Sequence, residues 1–302
     1  MEKLKFEICL RESGERIDKN LTVKLGAGYS RVYAKFLIDN GYVLVNEKKI
    51  KPNYAVKEND TVSVTLFSPP GVLELEPEDI PLNIIYEDEC VIVINKPVGL
   101  VVHPGAGNKN GTLVNALLYY LGHLPESDNE TRPGIVHRLD KDTTGVMVVA
   151  KNQKALRSLS KQFQKRAIKK NYLALVKGRV EIDNGTIDAP IARHKENRKK
   201  MEVDFAAGKS AHTVYHVLKR FDLFTFLRVD LLTGRTHQIR VHMTHISHPI
   251  LGDLRYGGDP RFPRQALHAE RLGFTHPETG EYMEFTAPLA EDMLEIVRKG
   301  TF

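Results

Sequence analysis

The first quarter of the chain carries one helical pattern and several short strand patterns. Ser30 can cap a helix from Arg31 to Asn40, in which apolar residues recur on one side and which Gly41 ends. Val43 and Val45 lie on one side of a short strand before an expected turn at residues 46–49, and Val62, Val64 and Leu66 lie on one side of a second strand. The pattern predicts a small α+β module.

The remaining chain carries more strand patterns than helix patterns. Thr112 can cap a helix through LVNALLYYL, and Asn152 can cap a second helix whose apolar residues share one face. Apolar or alternating runs predict strands in CVIVINKPVGLVVHP, at Val146–Ala150, Tyr172–Val176, Thr213–Leu218 and Phe224–Leu231. Because strands and helices do not alternate strictly, the pattern predicts an α+β domain with a mixed sheet and not a dinucleotide-binding α/β fold.

A proline-rich and acidic stretch separates the two regions. SPPGVLELEPEDIP, between Ser68 and Pro81, carries four prolines and four acidic residues, a composition typical of an extended tether. We therefore expect two domains, one over residues 1–75 and one over residues 82–302.

Composition and charge narrow the class of protein. The 302 residues include 44 Lys and Arg against 38 Asp and Glu, a net charge of +6 that favours a polyanionic partner. Cys9 and Cys90 are too few for a disulfide framework or a four-cysteine metal site, so a reducing cytoplasm is the expected location. The N-terminal stretch MEKLKFEICL lacks the apolar core of a signal peptide, and no apolar run approaches the ~20 residues of a membrane span.

The positive charge is concentrated in two regions. Residues 10–57 contain ten basic against five acidic residues, and residues 154–200 contain fourteen against four. The second run continues through a helix, a strand and the loop RHKENRKK, which ends with Lys199 and Lys200. A solvated helix face explains part of such a run, and a surface that follows nucleic-acid phosphates explains it equally well.

The charged stretch Arg138–Gly145, RLDKDTTG, lies between two apolar runs and is the main candidate for chemistry. Its D-x-D-x-T pattern occurs in Mg²⁺-dependent phosphatases, where Asp140 would be the nucleophile and Asp142 the acid. Two features oppose that interpretation: Arg138 and Leu139 interrupt the strand that should precede the first Asp, and the strand VMVVA follows where a helix should begin. A polar turn between strands is the structural alternative for Asp142, Thr143 and Thr144.

Two other patterns resemble cofactor or metal sites only partly. Gly105, Gly107 and Gly111 have the wrong spacing for a dinucleotide fingerprint, and no acidic residue follows at the required distance. Four histidines have spacings compatible with one helical side: His237, His242, His245 and His248. No cysteine lies nearby and a single Asp follows, so we expect neither a nicotinamide nor a metal here.

HRLDKDTTG resembles the signature of the pseudouridine synthases of the RluA/RluD type, which isomerise uridines within structured RNA. Further blocks are similar to that family in the family's order: NKPVGLVVHPGAGNKNGTLVNALL, KKNYLALVKG, LLTGRTHQIRVH, HPILGDLRYGG and RQALHAERLGF. The resemblance extends from Leu82 to the C-terminus. It departs at Thr144, where many members carry Ser, but the hydroxyl is kept.

Residues 15–66 resemble the RNA-binding domain named after ribosomal small-subunit protein four. The resemblance rests on Arg16-Ile17-Asp18, on Ser30-Arg31 and on GYVLVN. It implies RNA contacts from basic residues of this module, for which the candidates are Arg16, Lys19, Arg31 and Lys35.

The family resemblance also implies roles for four residues. Asp140 corresponds to the carboxylate that attacks, or removes a proton from, the ribose, and Arg240 to the cation that keeps this carboxylate ionised in a closed site. Tyr172 corresponds to the aromatic residue under the uracil, with help in removing the ring-carbon proton as an alternative role. Arg138 corresponds to the arginine that fills the space left by the flipped base. Because the reaction involves neither oxidation nor water, we expect no cofactor and no metal.

The resulting hypothesis is a cytoplasmic RNA pseudouridine synthase that acts on a stem-loop of large-subunit ribosomal RNA, free or within an assembling subunit, without membrane association. One alternative is the Mg²⁺-dependent aspartyl phosphatase, whose activity would require the metal. The other is a non-catalytic ribosome-binding protein, which would be expected to have lost Asp140 or Arg240.

Overall fold

A computed structural model of the chain describes residues 2–26, 31–66, 75–105, 107–125, 127 and 132–301. The chain divides into two compact units, a first that includes residues 1–75 and a second made of residues 76–125 and 134–302. Among the described residues, no helix is both long and apolar enough to span a membrane.

The first unit is a four-stranded sheet covered by two helices. Its elements are β1 (Glu2–Glu7), a 3-10 turn (Leu10–Glu12), α1 (Ile17–Leu25), α2 (Arg31–Asp39), β2 (Val43–Val45), β3 (Lys48–Lys49) and β4 (Thr61–Leu66). The sheet order is β1-β4-β2-β3, and its core includes Ile17, Leu21, Leu37, Val43 and Val62.

The structure confirms the small α+β module and changes some of its details. The helix ends at Asp39, one residue before the expected end, and its expected cap, Ser30, lies outside the described residues. The expected four-residue turn at 46–49 is a two-residue turn, because Asn46 and Glu47 adopt positive φ and β3 pairs with β2. Strand β1 was not expected from the sequence.

The second unit contains four helices and eleven strands among its described residues. The helices are α3 (Leu113–Leu121), α4 (Gln153–Gln164), α5 (Gln238–His245) and α6 (Glu291–Lys299). The strands are β5 (Ile84–Glu87), β6 (Val91–Lys96), β7 (Thr144–Ala150), β8 (Lys169–Lys177), β9 (Asn184–Asp188), β10 (Ile191–Arg193), β11 (Met201–Val203), β12 (His212–Arg220), β13 (Phe224–Leu231), β14 (Leu267–Thr275) and β15 (Tyr282–Thr286).

Nine of these strands form one mixed sheet in the order β5-β6-β7-β14-β8-β13-β12-β9, with β15 paired to β14. Strands β7 and β14 run parallel, whereas the neighbouring pairs are antiparallel. Strands β10 and β11 form a separate hairpin. The expected mixed-sheet α+β fold is therefore confirmed.

Two of the helices begin at the caps that the sequence predicts. The Oδ1 of Asn152 accepts a hydrogen bond from the backbone N–H of Ala155 at the start of α4 (2.9 Å), and Thr112 opens α3. Asn115 on α3 donates to Glu76 O (2.7 Å), so the last part of the proline-rich stretch is bonded to the second unit.

Candidate active site

The stretch from Arg138 to Thr143 forms a tight turn that leads into β7. The N–H of Thr143 donates to Asp140 O (3.1 Å), which closes the turn. Side chains from other segments donate to its successive residues: Lys96 Nζ to Lys141 O (2.9 Å), Arg264 Nη1 to Asp142 O (3.0 Å) and Gln265 Nε2 to Thr143 Oγ1 (3.2 Å). The backbone that carries Asp140 is thus held by distant parts of the chain.

Lys96 is a fully buried lysine at the end of β6. Its ammonium donates to Pro97 O (2.7 Å) and Leu100 O (2.9 Å) as well as to the turn, and burial lowers its pKa to about 7. The sequence analysis assigned it no role. The sequence signal for Lys96 was its position directly after the largely apolar run VIVIN.

Arg240 on α5 lies between two carboxylates. Its Nη1 donates to Asp140 Oδ2 (2.7 Å), while Nε and Nη2 form a two-pronged pair with Asp253 (2.6 and 2.9 Å). Such a fork fixes the plane of the guanidinium. The structure thus brings together the two residues that the sequence analysis had paired, 100 positions apart, and adds Asp253, for which it had no role.

The two carboxylates differ in accessibility. The side chain of Asp140 is 20% exposed, whereas that of Asp253 is 1% exposed. Burial alone would lower the pKa of Arg240, but its hydrogen bonds and the charges of Asp253 and Asp140 outweigh burial, so the pKa lies above its usual value. The site therefore presents one reachable carboxylate, held beside a permanent cation.

Tyr172 lies in β8, in the middle of the sheet, opposite Val229 of β13 and Ala269 of β14. The residue is buried, and burial together with the negative charge of Asp140 raises its pKa. Its hydroxyl therefore stays protonated at neutral pH. This arrangement favours a Tyr172 ring that packs against a nucleobase. It disfavours a Tyr172 phenolate that removes a proton.

Arg138 is exposed at the beginning of the turn, and Leu139, between it and Asp140, is buried. The buried leucine anchors the turn, while the residues on either side of it remain accessible.

His237 and Tyr256 are further residues of the site that the sequence analysis did not assign to it. His237 has φ 55° at the start of α5, its Nε2 lies 3.8 Å from Asp140 Oδ2, and its Nδ1 lies 2.8 Å from the Tyr256 hydroxyl. Burial lowers the pKa of His237 to about 4. The guanidinium carbon of Arg240 lies 5.1 Å from the centroid of the Tyr256 ring. Both residues fall within family-like blocks, but their residue types alone indicate no role.

The histidines considered as a metal site have separate partners. His242 contacts Thr213 and Ala189, and His248 contacts the backbone of Lys177. His237 faces Asp140 instead, so these imidazoles do not converge.

A different cluster brings possible metal ligands within 4.8 Å of one another in the described part of the chain: Asp88, Cys90 and His276. His276 Nδ1 accepts N–H bonds from Glu278 and Thr279, which leaves the proton of a neutral ring on Nε2, facing Asp88. Burial raises the pKa of Cys90, whose thiol donates to Glu278. These groups satisfy one another through hydrogen bonds and do not offer lone pairs to an ion.

The candidate RNA-binding residues lie on the surfaces of both units. In the first unit, Arg16 and Arg31 both bond to the buried carboxylate of Asp18, at 3.0 Å each, and their side chains remain more than half exposed. The other basic candidates are Lys19, which lies 3.7 Å from Glu15, the exposed Lys35, and, in the loop between β10 and β11, Lys199 and Lys200.

Comparison with known proteins gives consistent matches. Residues 90–245 match the model of the RNA pseudouridylate synthase family, and residues 15–62 match the S4 domain. An "uncharacterized RNA pseudouridine synthase" of Bacillus subtilis is 46% identical over 301 residues, covering 98% of each chain. Ribosomal large subunit pseudouridine synthase D of Haemophilus influenzae is 45% identical over 310 residues, covering 97% of this chain and 94% of that protein.

A solved structure, human RNA pseudouridylate synthase domain containing 1, superposes with a TM-score of 0.58 at 27% identity, covering 77% of this chain and 97% of the other. The match includes the charged turn, and strand β7 follows that turn where an aspartyl phosphatase would require a helix. The chain therefore belongs to the RNA pseudouridylate synthase family and, within it, to the type that includes the ribosomal large subunit pseudouridine synthase D proteins, preceded by an S4 domain.

Proposed function

We propose that this protein isomerises particular uridines of large-subunit ribosomal RNA in the cytoplasm. Relatives aligned over nearly the whole chain carry the name ribosomal large subunit pseudouridine synthase D. The S4 domain and the basic surfaces support a structured RNA as the partner.

The observation that carries the proposal is the accessible carboxylate of Asp140, bonded to Arg240 at 2.7 Å. The reaction breaks the bond between ribose and a ring nitrogen and joins the same ribose carbon to a ring carbon. One anionic group at that carbon is sufficient, acting as nucleophile or as base. Hydrolysis of a glycoside pairs two carboxylates to admit water, and here the second carboxylate, Asp253, is enclosed.

Tyr172 and Arg138 complete the proposed site. The buried ring of Tyr172 supports the uracil while it is detached and turned. The exposed Arg138 enters the RNA helix and occupies the space of the flipped base. A planar cation suits that place because it stacks on bases and contacts phosphates.

The proposed RNA contacts come from two regions. Arg16, Lys19, Arg31 and Lys35 belong to the N-terminal RNA-binding domain, which we assign to residues 1–75. Lys199 and Lys200 belong to the catalytic domain, which we assign to residues 82–302. Asp18 holds both arginines at fixed positions, which lowers the entropy lost when they bind phosphate.

The test compares two aspartates of one turn. Asp140→Asn keeps size and polarity but loses the charge, so we expect no isomerisation and nearly unchanged RNA affinity. Asp142→Asn is the matched control, because the structure engages Asp142 through its backbone carbonyl, and we expect it to retain most activity. Substantial turnover by Asp140→Asn, or equal loss in both variants, would contradict the assignment.

The substrate is identified by mapping pseudouridines in total RNA from cells with the gene, without it, and with Asp140→Asn. We expect the same sites in large-subunit ribosomal RNA to lose the modification in the second and third strains. Activity on the identified stem-loop should persist in excess chelator. Loss of this activity in excess chelator would contradict the expectation that the reaction needs no metal.

A further inference from the structure

A chain of polar contacts connects a surface hairpin to the reactive carboxylate. The N–H of Met201, the first residue of β11, donates to the Tyr256 hydroxyl oxygen (2.8 Å). That hydroxyl lies 2.8 Å from His237 Nδ1, and His237 Nε2 lies 3.8 Å from Asp140 Oδ2. Four residues thus link the hairpin to the active site.

The directions of the hydrogen bonds follow from the donors available. A backbone N–H can only donate, so the Tyr256 oxygen accepts from Met201, and the proton of Tyr256 is available for donation to His237 Nδ1. Burial lowers the pKa of His237 to about 4, so at neutral pH the ring carries a single proton. With Nδ1 accepting, that proton is on Nε2, the atom that faces Asp140.

The contacts to Asp140 are on one side of its carboxylate. Arg240 Nη1 and His237 Nε2 both face Oδ2, at 2.7 and 3.8 Å. Among the residues that the structure describes, Oδ1 has no bonded partner. Holding Oδ2 from two directions leaves Oδ1 as the oxygen that meets the ribose.

We propose that His237 is a positioning residue that orients the Asp140 carboxylate through an Nε2–H donor, with Tyr256 setting its tautomer. This inference rests on the proposed role of Asp140. The 3.8 Å separation is longer than a hydrogen bond, and it closes to bonding distance when substrate fills the site. His237 then shares Oδ2 with Arg240 and stops the carboxylate from rotating.

The same contacts connect RNA binding to the site. Strand β11 follows the basic loop that contains Lys199, and Arg255 Nη1 donates to Lys199 O (3.1 Å). Residues 255 and 256 therefore contact both the base of the loop and His237. The chain of contacts therefore extends from the basic loop to the imidazole.

The test uses two replacements of His237 in the full-length protein. The amide nitrogen of Gln can occupy the place of Nε2, whereas Asn reaches only the place of Nδ1. We expect His237→Gln to keep the single-turnover rate within about threefold and His237→Asn to lose about tenfold, the effect of one ordinary hydrogen bond. RNA affinity should match the wild type, and urea unfolding checks that both variants are folded under the assay conditions.

If His237 had only a structural role, His237→Asn would have a higher single-turnover rate than His237→Gln. His237 has φ 55°, a left-handed conformation that Asn adopts more readily than Gln. If Asn equals or exceeds Gln in rate, the positioning role is wrong.

Tyr256→Phe provides a second variant in case the histidine variants unfold. It keeps the ring beside Arg240 and removes only the hydroxyl, so we expect about tenfold lower single-turnover rate with unchanged RNA affinity. The control is Tyr282→Phe, whose hydroxyl donates to Glu284 on an exposed strand (2.9 Å). A wild-type rate for Tyr256→Phe would overturn the inference.

Asp140→Asn, measured in the same series, separates a failure of the proposed function from a failure of the proposed role of His237. If it retains activity, the proposed function of the site is wrong whatever the order of the His237 variants. If it is inactive and Asn equals or exceeds Gln, only the role of His237 is wrong.

Discussion

Gly145, which follows the charged turn, is the position where a single added carbon should disturb the site most. It has φ +117°, and a Cβ built there would lie 2.2 Å from Ala269 O on β14. Reaching even 3.0 Å requires β7 and β14 to separate by about 0.8 Å. Gly145→Ala should therefore lower both stability and activity.

The expected loss of stability has two parts. The backbone conformation costs a residue with a side chain on the order of 1–3 kcal/mol. The separation would also lengthen the 2.9 Å contact between Thr144 Oγ1 and His268 Nδ1 beyond bonding distance, and a lost buried hydrogen bond costs ~1–3 kcal/mol. Together we expect a decrease in the free energy of unfolding of about 3 kcal/mol or more.

The expected loss of activity follows from the same displacement. Asp140 lies five residues before Gly145, in a turn whose end moves with β7. A shift approaching 1 Å at a reacting group lowers the rate by about a hundredfold. Urea unfolding followed by circular dichroism and single-turnover kinetics would measure the two effects.

Gly280→Ala is the matched control. Gly280 has φ +75°, but a Cβ there would meet no atom within 4 Å. We expect a loss of ~1–2 kcal/mol from the backbone conformation alone and a wild-type rate. Equal destabilisation of both variants, with wild-type turnover in Gly145→Ala, would refute the argument that close strand contact positions Asp140.

Further predictions concern the domains, the RNA contacts and pH. Deleting residues 1–75 should leave a folded, active domain with weaker RNA binding; failure to fold would contradict the proposed boundary. Replacing Lys199 and Lys200 with Ala should weaken binding of cognate and unrelated stem-loops equally and flatten its salt dependence, whereas Arg138→Ala should lower turnover far more than affinity. If the Lys199/Lys200 variant and the Arg138 variant lost affinity and turnover in parallel, the assignment of the lysines to binding and of Arg138 to turnover would be wrong. Burial lowers the pKa of His137 to about 3, so acidification from pH 6.5 to 5 should protonate it in the unfolded chain only and remove about 2 kcal/mol of stability. Comparison of His137→Gln with the wild type across this range tests it, since the variant should lack that loss.

Local patterns predicted the elements whose signals are local. Helices α3 and α4 begin at Thr112 and Asn152, because a cap and a repeat of apolar residues are properties of neighbouring positions. Strands β5, β9, β10, β11, β14 and β15 were not predicted. Their formation depends on pairing with another strand, which a local pattern does not show.

The residues of the candidate site likewise divide into those with a sequence signal and those without one. By itself, the sequence determined the mixed α+β class and the charged turn with its two aspartates, and its similarity to a family predicted Asp140, Arg240 and Tyr172 as site residues. It contained Lys96, Asp253, His237 and Tyr256 too, but lysines, aspartates, histidines and tyrosines are common, and nothing in their spacing indicates a role. Only the tertiary structure decided that Asp140 is accessible and Asp253 is enclosed, because burial depends on which strands and helices meet around a side chain.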